Sequence, residues 1–393
     1  MKRILLFDLD GVLILPRGYR AAVHDTLTYF LEDLNLSHLA VDDGLPPLFE
    51  SLGVTSEWDM IAISLAVALD AAAGVFPHLA QAGTLVQIKT AMENLDLRDL
   101  QVDWRERVRT LGPSMKREPS PSEALLAACQ VNGKHLLPNL SGQEILEDLL
   151  GCTRALWSCP TTRFFQNLAL GAEMFREYYD QEPFLEVPSY LLAMDEPLAM
   201  PETSARILAG MRSGAHFAAA LTARPSLPPR GVSDEPCEEY SPEAELALEA
   251  VGLSELPSVA WGRLVYQGKK LGKSPDLLLK PAPTQALAGM AAALTGDEVR
   301  ALDWAAEMLV SPTPTETARQ MLSEALEVHV FEDSPVGIQA VQRAAALLAQ
   351  AGVDVQVRAW GIASGHPEKT EALRALGAEI CEDVNQAVAR ALG

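Results

Sequence analysis

Apolar positions recur along this chain with two different rhythms. Near the start, Ile4-Leu5-Leu6-Phe7 is a short unbroken run, the pattern of a strand buried on both faces. Between residues 16 and 200 the spacing is helical, and it predicts helices over 19–34, 58–73, 85–95, 122–130, 142–150 and 164–179. Thr55-Ser56-Glu57 supplies hydroxyls where the second of these needs a cap. Pro113 to Ser122 carries too much proline and serine for regular structure and reads as an exposed loop inside the helical region. From about Pro201 the first rhythm returns. A helix over Glu202–Ser213, stopped by Gly214, precedes an apolar run from His216 to Leu221. A helix from Glu243 to Val251, a strand over Val259–Val265 and a further apolar segment at Leu277–Leu279 follow. Helices are then expected over 284–294, 296–309 and near 316–326, before a third clear run at Glu327–Phe331. A helix, a strand over Val353–Trp360, the turn Gly361-Ile362-Ala363-Ser364, another helix and a short strand–helix pair complete the chain. Strands alternating with helices predict an α/β fold with a parallel sheet covered on both faces.

The ends of the apolar segments carry the candidate chemistry. The first stops at Asp8 and Asp10, with Gly11 turning the backbone away. The second stops at Thr222, in Thr222-Ala223-Arg224-Pro225-Ser226. Leu277–Leu279 delivers Lys280, fenced by Pro281 and Pro283, and the last run ends in Glu332-Asp333-Ser334-Pro335-Val336-Gly337. Parallel strands bring their carboxyl ends to one edge of the sheet, where ligands bind in open α/β folds. Acids at the end of a buried strand need a metal or a cation to meet them. Asp8, Asp10, Glu332 and Asp333 are hard oxygen ligands of the kind magnesium takes, while Lys280 and the Thr222 hydroxyl suit phosphoryl oxygens. Each residue also has a plainer role open to it. Asp-Gly forms turns, Thr222 can cap one, and Glu332-Asp333 can complement a helix dipole. Lys269, Lys270 and Lys273 compete with Lys280 and read as solvated loop lysines. Arg17, Arg20 and Arg224 are cations suited to a second anionic group on a substrate, or equally to an exposed cap or turn.

Composition narrows the partners. A chain of 393 residues exceeds one compact core and implies two domains, one inserted in the other. With 48% hydrophobic and 21% charged residues it is ordinary globular material. A net charge of −22 and an isoelectric point near 4.7 argue against nonspecific nucleic-acid binding and against anionic membrane surfaces. The opening apolar run, short and broken by two acids, is expected to be neither a signal peptide nor a membrane span. Five scattered cysteines, with no histidine cluster, disfavour a disulfide framework or zinc site and suit a reducing cytoplasm. Oligomeric state does not follow from the sequence.

Asp8-Leu9-Asp10-Gly11-Val12, Thr222, Lys280 in Lys-Pro-Ala-Pro and Glu332-Asp333-Ser334-Pro335-Val336-Gly337-Ile338-Gln339-Ala340 stand in the order of the motifs of the haloacid dehalogenase superfamily of phosphohydrolases, which the chain resembles. The last motif is similar to that of the phosphoglucomutase-like branch, which includes phosphoglycolate and sugar phosphatases. The resemblance implies a Rossmann-like three-layer core from 1–15 plus 201–393, elaborated over 284–326, and a large all-α cap over 16–200, about twice the size expected. It implies a magnesium-dependent phosphatase of a small phosphorylated metabolite. Asp8 would be the nucleophile that forms an aspartyl-phosphate, and Asp10 the acid and base. Thr222 and Lys280 would hold the phosphoryl group. Asp8, the Asp10 carbonyl and Asp333 would bind the metal, with Glu332 as a ligand or just behind it. The second aspartate, absent from the dehalogenases themselves, makes dehalogenation improbable. A phosphomutase on the same site and a non-catalytic binding module on the same fold are the alternatives.

Overall fold

The computed structural model describes residues 1–41, 44–115, 120–140, 144–233, 236, 238–310, 325–363, 365 and 367–393, setting aside the side chains at 132–134 and 368. They form two compact units, one of Met1–Pro16 with Met194–Gly393 and the other of Arg17–Ala193.

The first unit is an α/β fold with a Rossmann-like three-layer core. Its strands are β1 (Lys2–Phe7), the short pair β2 (Ile14–Leu15) and β3 (Glu196–Pro197), then β4 (Phe217–Leu221), β5 (Ser258–Val259), β6 (Leu326–Glu332), β7 (Val355–Ile362) and β8 (Glu379–Cys381). Six of them make one sheet in the order β5-β4-β1-β6-β7-β8, and every neighbouring pair is parallel. β2 and β3 pair separately and antiparallel. β1 lies in the middle, so its apolar run has to serve two faces. Ile4 and Leu6 pack with Met290, Leu302 and Ile338, from helices on one side. Leu5 and Phe7 pack with Ile207, Leu248 and Val388 on the other. In register, Phe7 faces Ala220 of β4 and Phe331 of β6. The Phe7 and Phe331 rings stack with centroids 4.5 Å apart, which adds about 1 kcal/mol to their burial and stiffens the two strands one residue before their acids.

The second unit is helical and has its own core. Its long helices are Arg17–Asp33, Glu57–Val75 and Pro160–Tyr179. Glu57–Val75 is buried almost all round. Among the described residues it is the one helix long and apolar enough to cross a membrane, but 78% of its most apolar window is buried inside the protein. Two carboxylates interrupt it, Asp59 and Asp70, both buried.

Several elements differ from the sequence pattern. Val259–Val265 is not a strand: β5 ends at Val259 and a helix runs from Trp261 to Leu271. Its apolar residues Trp261, Leu264 and Val265 fit helical spacing as well as a short apolar run, and the buried face here is a helix face. Leu277–Leu279 is no strand either; Pro275–Leu277 is a single 3-10 turn, so Lys280 arrives on a loop. Of the expected loop at 113–122, residues 116–119 lie outside the described residues, and the rest includes a 3-10 turn at Gly112–Ser114 and the start of a helix from Pro121. Ser56 stands at the start of its helix, yet its hydroxyl caps nothing there and instead accepts from Arg154 Nη1 at 3.3 Å. The helix expected near 316–326 lies outside the described residues up to 324, and Leu326 already belongs to β6. Helices at Leu45–Ser51, Trp104–Leu111 and Tyr190–Met194 were not expected; each is short, and short elements give periodicity little to register on.

Candidate active site

Three adjacent strands of the first unit, β4, β1 and β6, end side by side. Their carboxyl ends bring Thr222, Asp8 and Glu332-Asp333 to one edge of the sheet. β1 stops because Gly11 adopts φ +74° and the loop folds back, with Leu13 and Ile14 N–H both donating to the Leu9 carbonyl. A side chain at Gly11 would be strained at that φ and would also meet Asp333 Oδ2 at 2.5 Å. On the β6 side, a Cβ at Gly337 would fall 1.5 Å from Glu332 Oε1. Both glycines are therefore needed for the acids to converge.

Lys280 is at the centre of the cluster. Its Nζ lies 2.8 Å from Asp8 Oδ2 and 3.0 Å from Glu332 Oε1, with the Lys280 side chain 8% exposed. Asp8 Oδ1 accepts the Leu9 N–H at 2.8 Å. Ser334 donates its hydroxyl to Glu332 Oε2 at 3.0 Å, and Lys369 Nζ stands 3.0 Å from Asp333 Oδ2. Carboxylate oxygens of Asp8, Glu332 and Asp333 all come within 4.8 Å of one another.

Burial combined with crowding sets the protonation energetics. Asp8 is pushed up, first by burial and then by the neighbouring Asp10, with Lys280 opposing. Glu332 is pushed up to about 8, by burial first and by Asp8 next, again against Lys280. Burial acts to lower the Lys280 pKa, but Asp8 and Glu332 outweigh it, so the net shift is upward and the ammonium keeps its proton. Even with that lysine, burial and the neighbouring acids leave Asp8 and Glu332 raised, so each takes up a proton more readily than an ordinary carboxylate. A set of hard oxygens in that condition fits a divalent cation such as magnesium. Asp8, Glu332 and Asp333 are the candidate ligands, and each already has partners: Lys280 and the Leu9 N–H on Asp8, Lys280 and Ser334 on Glu332, and Lys369 on Asp333.

The other expected residues lie as follows. Thr222 is buried, and its Oγ1 accepts the Arg224 N–H at 3.1 Å. It thus makes the turn its sequence allowed, while its hydroxyl proton stays available to donate, since a hydroxyl donates once and accepts twice. The Asp10 carboxylate is directed to Arg224, whose Nη2 reaches Oδ1 at 2.6 Å. Arg224 is therefore not an exposed cation awaiting a substrate; it is 3% exposed and already forked onto an acid. Arg20, in the helical unit, is paired with Glu50 at 3.3 Å, and Arg17 opens the helix Arg17–Asp33. Lys269 and Lys270 reach surface acids, Glu239 and Asp303, but from the last turn of the helix Trp261–Leu271 rather than from the loop expected of them.

Three residues at the site escaped the sequence reading. Gln285, fully buried, donates its amide to the Thr222 and Val259 carbonyls at 2.9 and 2.7 Å and accepts the Lys280 N–H at 3.0 Å. It joins the ends of β4 and β5 to the Lys280 loop, which is how a lysine off the sheet is held in register. A glutamine in the mostly apolar helix Pro283–Thr295 was its one visible signal. Lys369, and Asp195 beside Arg224 at 2.9 Å, carried no local signal.

No known family model matches the chain, and no curated protein matches it in sequence. Two solved structures are similar to it. One, an X-ray structure of a Northeast Structural Genomics Consortium target, ZR25, has a TM-score of 0.56 at 14% identity, covering 98% of this chain and 97% of that chain. The other, phosphatase Tt82 from Thermococcus thioreducens, has a TM-score of 0.44 at 15% identity, covering 99% and 98%. The first supports the α/β fold with its helical insertion. The second is too loose a likeness to bear on function.

Proposed function

We propose that the first unit is a magnesium-dependent phosphohydrolase that acts on a small phosphorylated metabolite through an aspartyl-phosphate at Asp8. The observation that carries this reading is the Lys280 ammonium between Asp8 and Glu332, beside Asp333, at the carboxyl edge of a parallel sheet. A buried, crowded carboxylate next to a fixed cation is poorly suited to a scaffold and well suited to attack on phosphorus. Asp8 Oδ2 would form the bond to phosphorus while the ester oxygen leaves with the bonding pair. Lys280 screens Asp8 from the phosphoryl charge and, with the Thr222 hydroxyl, binds the non-bridging oxygens. Asp10 gives the leaving oxygen its proton and takes one from the water that then attacks phosphorus and frees Asp8. Glu332 holds Lys280 in place. Asp8, Asp333 and the Asp10 carbonyl would hold magnesium, which when bound supplies charge neutralisation between nucleophile and phosphate.

The test is hydrolysis of para-nitrophenyl phosphate with magnesium and with chelator, for the wild type beside Asp8→Asn. Turnover that needs the metal and disappears in the variant supports the assignment. Turnover unchanged by Asp8→Asn would sink it.

A further inference from the structure

Arg224 is the most buried cation at the site, its side chain 1% exposed, and it carries two carboxylates of unequal standing. Asp195 is buried with it, at 6% exposure, whereas Asp10 is 33% exposed. The arginine is anchored from its backbone outward. Its N–H donates to Thr222 Oγ1, its carbonyl accepts the Trp261 N–H at 3.0 Å, and Pro225 restricts its own backbone. Arg224 Nη2 contacts Asp195 Oδ2 at 2.9 Å and Asp10 Oδ1 at 2.6 Å, while Nε reaches both Asp10 oxygens at 3.0 Å. Asp10 Oδ1 therefore takes two contacts and Oδ2 one. A buried pair that served stability alone would be complete with Asp195. The added, half-open Asp10 is the end presented outward.

We propose that Arg224, anchored by Asp195, is a positioning residue that aims Asp10 Oδ2 at the leaving-group oxygen. This rests on the phosphoryl-transfer reading above. By holding Oδ1 from two nitrogens and Oδ2 from one, the guanidinium leaves Oδ2 the less engaged oxygen, the atom that carries the proton to the departing oxygen as the ester bond to phosphorus breaks. Only a planar fork can fix both the place and the rotation of a carboxylate in this way.

The prediction concerns which substrates suffer. Para-nitrophenolate departs without a proton, whereas the more basic phenolate needs one, and kcat/KM reports the steps up to release of the leaving group. In Arg224→Ala, kcat/KM for phenyl phosphate should fall roughly ten- to a hundred-fold further than for para-nitrophenyl phosphate, within the range of general-acid contributions. Arg224→Lys, which keeps the charge without the fork, should show a smaller skew in the same direction, and so should Asp195→Asn. Being a ratio, this readout is insensitive to the folded fraction, and the two milder variants decide the matter if Arg224→Ala does not fold. Equal losses on both substrates would overturn the positioning role and leave the phosphohydrolase reading intact. A wild type that hydrolyses neither substrate with magnesium would overturn both.

Discussion

Both units bury acids, and those at the carboxyl edge of the sheet are treated differently from those of the helical unit. In the helical unit each buried carboxylate is matched. Asp59, fully buried, meets Arg154 Nη2 at 2.7 Å and accepts from the Ser122 N–H and the Thr153 hydroxyl at 3.2 and 3.3 Å. Asp70 meets Arg107 Nη2 at 3.2 Å and accepts the Asn139 and Leu140 N–H groups at 2.8 and 3.2 Å. There, one acid faces one arginine and the remaining lone pairs go to the backbone or a hydroxyl. In the sheet unit, Asp8 and Glu332 share Lys280 while Asp333 sits beside them with Lys369. Matched burial locks helices together. Crowded burial gathers several acids around few cations, an arrangement that the proposed phosphate–metal site would use.

The comparison breaks most visibly under amide substitution. Asp8→Asn should cut turnover by roughly four orders of magnitude or more, the scale seen when a covalent nucleophile is lost. In chelator it should leave the melting temperature unchanged or raised, because it relieves crowding. Asp59→Asn should do the reverse, costing about 3 kcal/mol of stability, as breaking a buried pair does, which denaturant unfolding would measure. A destabilised Asp8→Asn beside an unaffected Asp59→Asn would invert the account. Next in size, Gln285→Leu keeps the volume but takes the amide partner from the Thr222 carbonyl and the Lys280 N–H, while the Val259 carbonyl keeps the Thr222 N–H, at about 1–3 kcal/mol for each buried group left unsatisfied. It should also lower kcat more than it raises KM, because Lys280 loses its register.

A further effect is with pH. Glu332 has a folded pKa near 8 against an ordinary 4.5, so between those values the folded protein holds the proton more tightly than the unfolded chain. Stability of the metal-free protein should therefore fall as pH rises from about 5 to 8. Glu332→Gln should flatten that slope in melting curves taken with chelator. A slope of the opposite sign would mean that Lys280 alone satisfies the cluster.

How much of this the sequence carried depends on how far apart the partners lie. Asp8, Thr222, Glu332 and Asp333 were legible because each stands at the end of an apolar run, and a parallel sheet gathers such ends at one edge. Lys280 was legible from its prolines, though not its support: a 3-10 turn and Gln285 hold it, where a strand end was expected. Trp261 to Val265 misled because a few apolar residues in a row suit strand and helix alike. Asp195 and Lys369 were invisible, since their partners Arg224 and Asp333 lie 29 and 36 positions away with no pattern linking them. Arg224 was noticed, but as a cation in search of an anion; only the fold shows that Asp10, 214 positions away, already fills that role.

Asp8 is the proposed nucleophile, and the most direct measurement is to catch the phosphoryl group on it. Wild-type protein mixed with magnesium and a radiolabelled phosphate monoester, quenched in acid during turnover, should carry label on the peptide containing Asp8. That label should be released by hydroxylamine, as an acyl phosphate is, and be absent from Asp8→Asn. Steady turnover with no protein-bound label, or label on a peptide lacking Asp8, would contradict the proposed chemistry.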